Sequence, residues 1–224
     1  DQAAMLQRLI RGVARNHERV ATFMAKPFGD IAGSGLHMHC SLLDESGNNV
    51  FSNGSPSGSP LLRKAVGGCL ESLEDCMLLF APNLNSYRRF QVASHAPLAR
   101  SWGYENRTTA IRIPAGEPDA TRLEHRVSGA DVNPHLAISG LLAAIYRGID
   151  EGIEPPDPIA GNAYNHIDSS LPRYWPDAID LFEKSELILG SFGSQFQKIF
   201  ALIKRQEMAE FDCQVTPLEY DTSL

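Results

Sequence analysis

Apolar and polar residues recur with different periods along the chain, and each period predicts a type of element. Between residues 4 and 19 the apolar residues recur every three or four positions, which predicts an amphipathic helix. Its apolar stripe consists of Met5, Leu6, Leu9, Ile10 and Val13. Residues 20–27 have the composition of a strand and end at Pro27, so we predict a strand there.

Strict alternation follows a glycine-bearing loop, in residues 33–42 with the sequence GSGLHMHCSL. Successive side chains of a strand point to opposite faces. One face would carry Gly35, His37, His39 and Ser41, and the other would carry Leu36, Met38, Cys40 and Leu42. The second face is apolar enough to be buried. The first offers two imidazoles and a hydroxyl, which are the groups that a metal or phosphate site uses.

The segment 60–80 predicts a helix, with Ser59 as its N-cap and Pro60 at its first position. Residues 82–128 show little helical periodicity and many arginines, asparagines, prolines and glycines, so we predict strands and functional loops.

The second half of the chain is predominantly helical. Residues 133–152 are so apolar that we expect a helix buried on most sides, and two or three helices follow between 175 and about 215. The order of elements predicts an α+β fold, and because no linker is visible we treat 1–224 as one domain.

Composition narrows the classes of function. The chain has 224 residues, 43% of them hydrophobic and 21% charged, and a net charge of −7. That charge argues against a nucleic-acid partner, and no apolar run approaches the ~20 residues of a membrane span. The four cysteines show no C-x-x-C pairing and indicate reduced thiols of a cytoplasmic protein.

The segment TRLEHRV, residues 121–127, alternates like a strand and places Arg122, Glu124 and Arg126 on one face. Two guanidiniums beside a carboxylate are typical of an exposed ladder of ion pairs. They are equally typical of a carboxylate that binds a cation while the arginines hold an anion. The pattern alone leaves both interpretations open.

Six arginines occur in three short motifs, and no lysine occurs between residues 88 and 126. These arginines are Arg88, Arg89, Arg107, Arg112, Arg122 and Arg126. In an acidic chain this concentration predicts a ligand that carries several phosphates and a carboxylate. The chain has no P-loop, and no G-x-G-x-x-G follows a strand, so a nucleotide would bind on another scaffold.

A metal-ligand face, an arginine-rich face and a Lys26–Pro27 loop together indicate phosphoryl transfer, which depends on metal ions and positive charge around the transferring group. A metal-dependent amidohydrolase would also explain the H-x-H strand. It would leave the arginines without a role and would need a later histidine and a lysine or aspartate that we cannot place.

Five motifs, in this order and at these spacings, resemble the catalytic domain of the glutamine synthetase family. They are KPFGDIAGSGLHMHCSL, NSYRR, NRTTAIRIP, RLEHR and NPHL. The resemblance implies an antiparallel-sheet catalytic domain with helices packed outside and a helical C-terminus. It also implies ATP-dependent ligation of glutamate to ammonia or a primary amine through a γ-glutamyl phosphate, with Mg²⁺ or Mn²⁺, in glutamine biosynthesis, nitrogen or polyamine metabolism.

The resemblance also implies roles for individual residues. Metal ligands would be His37 and Glu124. The ATP site would include His39, Ser41, Arg112 and Arg122. The phosphoryl group would be met by Arg107, Arg112 and Arg126. Glutamate would be bound by Arg89 and would lie against Gly33. We interpret Tyr164 as an ordinary loop tyrosine, Trp102 and Tyr104 as packing residues, and His17, His125, His135 and His166 as structural.

Two positions depart from the family pattern on the substrate side. Ala32 replaces an asparagine, and His95 replaces the glutamate that helps to form the ammonium pocket. A histidine carries at most a fractional positive charge near neutral pH and would repel a cation. The sequence is therefore similar in character to the γ-glutamyl-amine synthetases of the family, such as those that act on polyamines.

In the family a β-grasp domain and the glutamates of the other metal lie upstream of this segment, and neither occurs in these 224 residues. The resemblance thus implies a C-terminal portion of the catalytic domain that does not make amide bonds alone, from a ring-forming homo-oligomer. A non-catalytic member of the family is the remaining alternative, because the ammonium glutamate is replaced.

Overall fold

A computed structural model describes residues 1–92, 94–166, 168 and 170–223. The first half contains α1 (Gln2–Asn16), β1 (Met38–Cys40), α2 (Pro60–Glu71), α3 (Leu73–Phe80), α4 (Leu84–Tyr87), β2 (Trp102–Tyr104) and β3 (Ile111–Ile113). The second half contains β4 (Leu123–His125), α5 (Pro134–Asp150), α6 (Trp175–Lys184), α7 (Glu186–Phe192), α8 (Ser194–Asp212) and α9 (Pro217–Ser223). The predicted α+β class and the helical C-terminal part are confirmed.

The four strands form one sheet in the order β1-β4-β3-β2. The β1–β4 and β4–β3 pairs are antiparallel, as the family resemblance implied, whereas β2 and β3 are parallel. One face of the sheet packs into the apolar core with α2, α3 and α5. The other face carries the polar residues of the candidate site.

The predicted helix over 60–80 begins as expected but is interrupted. The Ser59 hydroxyl accepts a hydrogen bond from the backbone N–H of Leu62 at 3.2 Å, which caps α2. At Ser72 the backbone leaves the helical conformation, with φ −92° and ψ 3°, and α3 begins at the following residue. The periodicity of the sequence persists across this turn because both helices bury the same kind of apolar face.

The predicted strand over 20–27 is wrong. No strand forms there, and the polar main-chain groups of Lys26 bond to a side chain instead of to a neighbouring strand. The Lys26 N–H donates to Asn85 Oδ1 at 2.8 Å, and the Asn85 amide donates to the Lys26 carbonyl at 2.9 Å. The Lys26 ammonium donates to the carbonyl of Ile31, so Lys26 holds the glycine-bearing loop in place.

The expected burial of 133–152 on most sides is also wrong. The helix forms, with Asn133 as its cap, but α5 buries one face only. The outward face carries Ile138, Leu142 and Tyr146, all exposed. The helix α1 likewise forms as predicted, yet its whole apolar stripe is exposed among the described residues. The spacing of apolar residues along a helix predicts which face is apolar, but it does not predict whether another element packs against that face.

Close contact between α2 and α5 depends on two glycines. A Cβ added to Gly68 would lie 2.2 Å from the carbonyl oxygen of Ala144, and one added to Gly148 would lie 2.2 Å from that of Lys64. Both close atoms are carbonyl oxygens of the neighbouring helix, so an added Cβ could be accommodated only if the two helices moved apart.

We expect Gly148→Ala to lower the free energy of unfolding by about 1–3 kcal/mol, because it overpacks this crossing. Gly12→Ala is the matched control, since a Cβ at Gly12 in α1 meets nothing within 4 Å. That control should be neutral or stabilise by about 0.5–1 kcal/mol, because alanine favours helices. Denaturant unfolding followed by circular dichroism measures both, and equal stabilities of the two variants would contradict the close crossing.

None of the described helices is both long enough and apolar enough to cross a membrane. All four cysteines are free thiols, with Cys69 and Cys76 buried, Cys40 half-buried and Cys213 exposed.

Candidate active site

The sheet brings three of the predicted site residues into one row. His39 of β1 lies opposite Glu124 of β4, and Glu124 lies opposite Arg112 of β3. Directly opposed residues of neighbouring strands share a face, so these three side chains point the same way. The neighbours His125 and Ile111 are buried on the core side. The predicted alternation is therefore confirmed within β1 and β4, which are shorter than the segments 33–42 and 121–127 predicted as strands.

Glu124 is the centre of the row, and its side chain is only 4% exposed. Arg112 Nη1 donates to Glu124 Oε2 at 2.8 Å, and Arg126 Nη1 donates to Glu124 Oε1 at 2.8 Å. Burial acts to raise the pKa of Glu124, but the hydrogen bond from Arg112 and the nearby positive charges outweigh it. The pKa of Glu124 lies below its usual value, so the carboxylate is ionised at neutral pH.

His37 adds an imidazole to this carboxylate. Its Nδ1 lies 2.9 Å from Glu124 Oε1 and 3.4 Å from Arg126 Nη1. Burial and the Arg126 charge lower the pKa of His37, so the ring is neutral at neutral pH. His37 Nδ1 and Glu124 Oε1 therefore meet at one point, and a neutral imidazole offers one ring nitrogen with a free lone pair, which is the form that ligates metal ions.

A hydrogen bond from Arg122 determines the tautomer of the His39 ring. Arg122 Nε donates to His39 Nδ1 at 3.1 Å, which assigns the ring proton to Nε2. His39 Nε2 lies 3.9 Å from Glu124 Oε1. His39 therefore presents an N–H rather than a lone pair, which suits contact with an oxygen-rich anion better than ligation of a metal.

The arginines are only partly paired. Arg112 Nη2 donates to both carboxylate oxygens of Glu105 at 3.1 Å, and Arg126 Nη2 donates to the carbonyl of Arg107 at 2.8 Å. The Nε atoms of Arg112 and Arg126 are buried, and neither has a hydrogen-bond partner among the described residues. Buried donors without acceptors are costly, so this face is chemically prepared for an anion.

Arg89 lies beneath the glycine-bearing loop and is 3% exposed. Its Nη1 donates to the carbonyl of Val127 at 2.6 Å, and its Nη2 donates to that of Arg126 at 3.3 Å. Burial lowers the pKa of Arg89 to about 10, so the guanidinium remains charged at neutral pH.

The glycines of the loop create the room that Arg89 occupies. A Cβ at Gly33 would lie 2.4 Å from the carbonyl oxygen of Ala25, and a Cβ at Gly35 would lie 2.9 Å from Arg89 Nη2. The GSG motif therefore works by letting the backbone approach the arginine closely.

The other predicted residues lie at the surface. Ser41, Arg88, Arg107 and His95 are exposed. His95 has a φ of 62°, a left-handed conformation that histidine adopts more readily than most residues. A seventh arginine of the segment, Arg100, pairs elsewhere, with Asp168 and Glu74.

Two contributors were not singled out from the sequence. Glu105 orients Arg112 from the end of β2, and nothing in its sequence context distinguishes it from a surface glutamate. Tyr164, interpreted as a loop tyrosine, lies in a short turn with its hydroxyl buried, and the charges of Arg126 and Arg89 act to lower the pKa of that hydroxyl while burial raises it. The interpretation of His125 as structural agrees with its burial and its packing on Phe80, with ring centroids 4.3 Å apart.

His37 and Glu124 fit a divalent cation by chemistry, as an imidazole nitrogen and a carboxylate oxygen. Within the ranges that the structure describes, no three His, Cys, Asp or Glu side chains are grouped so that they could hold a metal ion. The described residues therefore offer a partial ligand set, to be completed by oxygens from elsewhere. The described ranges also lack the third ligand that an amidohydrolase would need.

The chain belongs to the glutamine synthetase family. A model described as "Glutamine synthetase, catalytic domain" matches residues 1–223. Gamma-glutamylputrescine synthetase PuuA of Escherichia coli (strain K12) is 38% identical over 224 residues, which is 100% of this chain and 48% of that protein.

Gamma-glutamylethanolamide synthetase GlnA4 of Streptomyces coelicolor is also 38% identical, over 98% of this chain and 47% of its own length. A structure titled GmaS/ADP complex superposes with a TM-score of 0.89 at 30% identity and covers 99% of this chain and 53% of that one. The chain thus spans about half the length of the relatives it matches.

Proposed function

We propose that the protein containing this chain joins the γ-carboxylate of glutamate to a primary amine, driven by ATP through a γ-glutamyl phosphate. The observation that carries this proposal is the row of His39, Glu124 and Arg112, with His37 and Arg126 beside it. This arrangement combines two candidate cation ligands, His37 and Glu124, with the guanidiniums of Arg112 and Arg126. Such an arrangement suits a phosphoryl group that spreads negative charge over several oxygens as it moves.

Each residue contributes through contacts already described. Arg112 and Arg126 would meet the transferring phosphoryl group, with Arg107 at the exposed edge. His39, Ser41 and Arg122 would contact the nucleotide together with Arg112, because they continue the same face away from His37. Gly33 and Arg89 would receive glutamate. These assignments rest on the shared face and on the family resemblance.

His37 and Glu124 would hold Mg²⁺ or Mn²⁺, which when bound neutralises phosphate charge. Arg112 and Arg126 keep the Glu124 carboxylate ionised, and their hydrogen bonds to its two oxygens fix its orientation. This preparation of a cation ligand by its neighbours is typical of metal sites, where surrounding contacts orient the ligands.

The proposed substrate is an amine larger than ammonia. His95 replaces a carboxylate that would attract ammonium, and two of the relatives described above are named for putrescine and ethanolamide products. A non-catalytic role is disfavoured because a protein kept only for assembly has no use for buried, unpaired arginine donors beside an ionised glutamate.

We further propose that this chain is the C-terminal portion of the catalytic domain, in a cytoplasmic protein that assembles into rings. The incomplete ligand set and the coverage of about half of each relative support this proposal. The 224 residues alone are then expected to be inactive.

A screen for ADP release tests these proposals on the complete protein. It contains ATP, Mg²⁺, glutamate and either ammonia, putrescine, ethanolamine or a short alkylamine, with the 224-residue chain as a parallel sample. We expect amine-dependent ADP release by the complete protein and none above background by the chain alone. If neither ammonia nor any amine stimulates ADP release, the non-catalytic alternative is correct. Turnover with ammonia equal to that with the best amine would refute the proposed substrate.

A further inference from the structure

We propose that the Tyr164 hydroxyl donates a hydrogen bond to a carboxylate of the bound glutamate, beside Arg89 and Arg126. This assignment rests on the proposed function and adds a substrate-contact residue to it. Tyr164 lies in a short 3-10 turn, Ala163–Asn165, about forty residues after Arg126 in the sequence.

The position of the turn is set by hydrogen bonds from the two neighbours of Arg107, Asn106 and Thr108. The Asn106 side-chain amide donates to the carbonyls of Ile159 and Gly161, at 2.9 Å and 2.8 Å. The Ala163 N–H donates to Thr108 Oγ1 at 2.8 Å. Residues on both sides of Arg107 therefore fix the segment that carries Tyr164, which couples its position to the anion face.

The hydroxyl of Tyr164 is buried. The backbone N–H of His95 donates to its oxygen, so what the hydroxyl lacks among the described residues is an acceptor for its own hydrogen. The carbonyl of Arg107, the neighbour of Thr108, accepts a hydrogen bond from Arg126 Nη2 at 2.8 Å, so the turn that carries Tyr164 is anchored beside Arg126. The positive charges of Arg126 and Arg89 act to lower the pKa of the hydroxyl, against the effect of burial. Arg126 Nε is also buried and lacks an acceptor among the described residues. Leaving such groups unsatisfied is costly, and a ligand that accepts from them recovers that cost.

The chemistry of the three groups selects the ligand. Guanidiniums only donate hydrogen bonds, and burial raises the pKa of Tyr164, so its phenol remains protonated and can donate too. Arg89, Arg126 and Tyr164 therefore all offer donors. One oxyanion can accept hydrogen bonds from all three groups. We identify it as a carboxylate of glutamate, because Arg89 and the glycine-bearing loop are the proposed glutamate site.

The test is Tyr164→Phe in the complete protein, which removes the hydroxyl and keeps the ring. We expect the KM for glutamate to rise about tenfold or more, the usual effect of losing a hydrogen bond to a charged group, with the KM for ATP unchanged. Direct calorimetric titration with L-glutamate should show a matching loss of affinity. Tyr174→Phe is the control, because Tyr174 is 70% exposed, and it should behave as wild type.

A second variant tests the route by which Tyr164 is positioned. Thr108→Val removes the acceptor for the Ala163 N–H and should raise the KM for glutamate in the same direction by a smaller factor. An unchanged glutamate KM in Tyr164→Phe, or a rise confined to ATP, would overturn the assignment. Absence of glutamate-dependent ADP release by the wild-type protein would instead refute the proposed function, so the two failures are distinguishable.

Discussion

Glu124→Gln in the complete protein should reduce turnover by about 10²–10³-fold or more, because it removes the charge on which both arginines and the bound cation depend. The substitution preserves shape but leaves buried Arg126 without its counter-charge, while Arg112 keeps only the exposed carboxylate of Glu105. Removing one partner of a buried ion pair costs about 3–5 kcal/mol, so a loss of stability should accompany the loss of activity. The measurements are steady-state ADP release over a range of Mg²⁺ concentrations and the thermal unfolding midpoint.

Glu105→Gln is the matched control for this variant. Glu105 also pairs with Arg112, but its side chain is 51% exposed and its contribution is screened by solvent. We expect a change in turnover of a few-fold at most and a near-normal unfolding midpoint. If both glutamine variants lost activity to the same extent, the special role of Glu124 would be wrong. Full activity of Glu124→Gln at ordinary Mg²⁺ would remove the basis of the proposed phosphoryl site.

His95→Glu should move the selectivity of the enzyme toward ammonia. The change replaces an imidazole with a carboxylate on an exposed loop, and a unit negative charge at close range is worth about 1–4 kcal/mol to a cation. We therefore expect the ratio of kcat/KM for ammonia to that for the best amine to rise about tenfold or more. Parallel ADP-release assays with ammonia and the amine give the ratio.

His95→Asn separates charge from backbone effects. Position 95 has a left-handed φ of 62°, which asparagine adopts easily, so this variant keeps the loop conformation without adding negative charge. Its selectivity should change much less than that of His95→Glu. Equal shifts in both variants would show that loss of the histidine, rather than the new charge, governs the choice of amine.

Local pattern predicted the strand faces of this protein well. The alternation of GSGLHMHCSL and TRLEHRV was sufficient to place His37, His39, Glu124 and Arg126 on one side, because a strand has a period of two wherever it occurs. It could not show that His39, Glu124 and Arg112 are directly opposed, since register is decided by pairing between strands far apart in sequence.

The sequence-based prediction of structure failed where contacts with residues distant in sequence decided the outcome. Residues 20–27 have the composition of a strand, yet the Asn85 side chain takes the main-chain hydrogen bonds of Lys26 that a neighbouring strand would need. The residues 133–152 have the apolar content of a fully buried helix, but only one face of α5 meets a partner.

By itself, the sequence determined the family and the α+β class and predicted the residues of the candidate site, because motifs, strand period and arginine content are local properties. The tertiary structure alone decided which donors are paired and which remain free. The buried Nε atoms of Arg112 and Arg126 and the hydroxyl of Tyr164 acquire their significance from burial and from the absence of an acceptor among the described residues. Both are consequences of contacts between segments that fold together, and so no single segment encodes them.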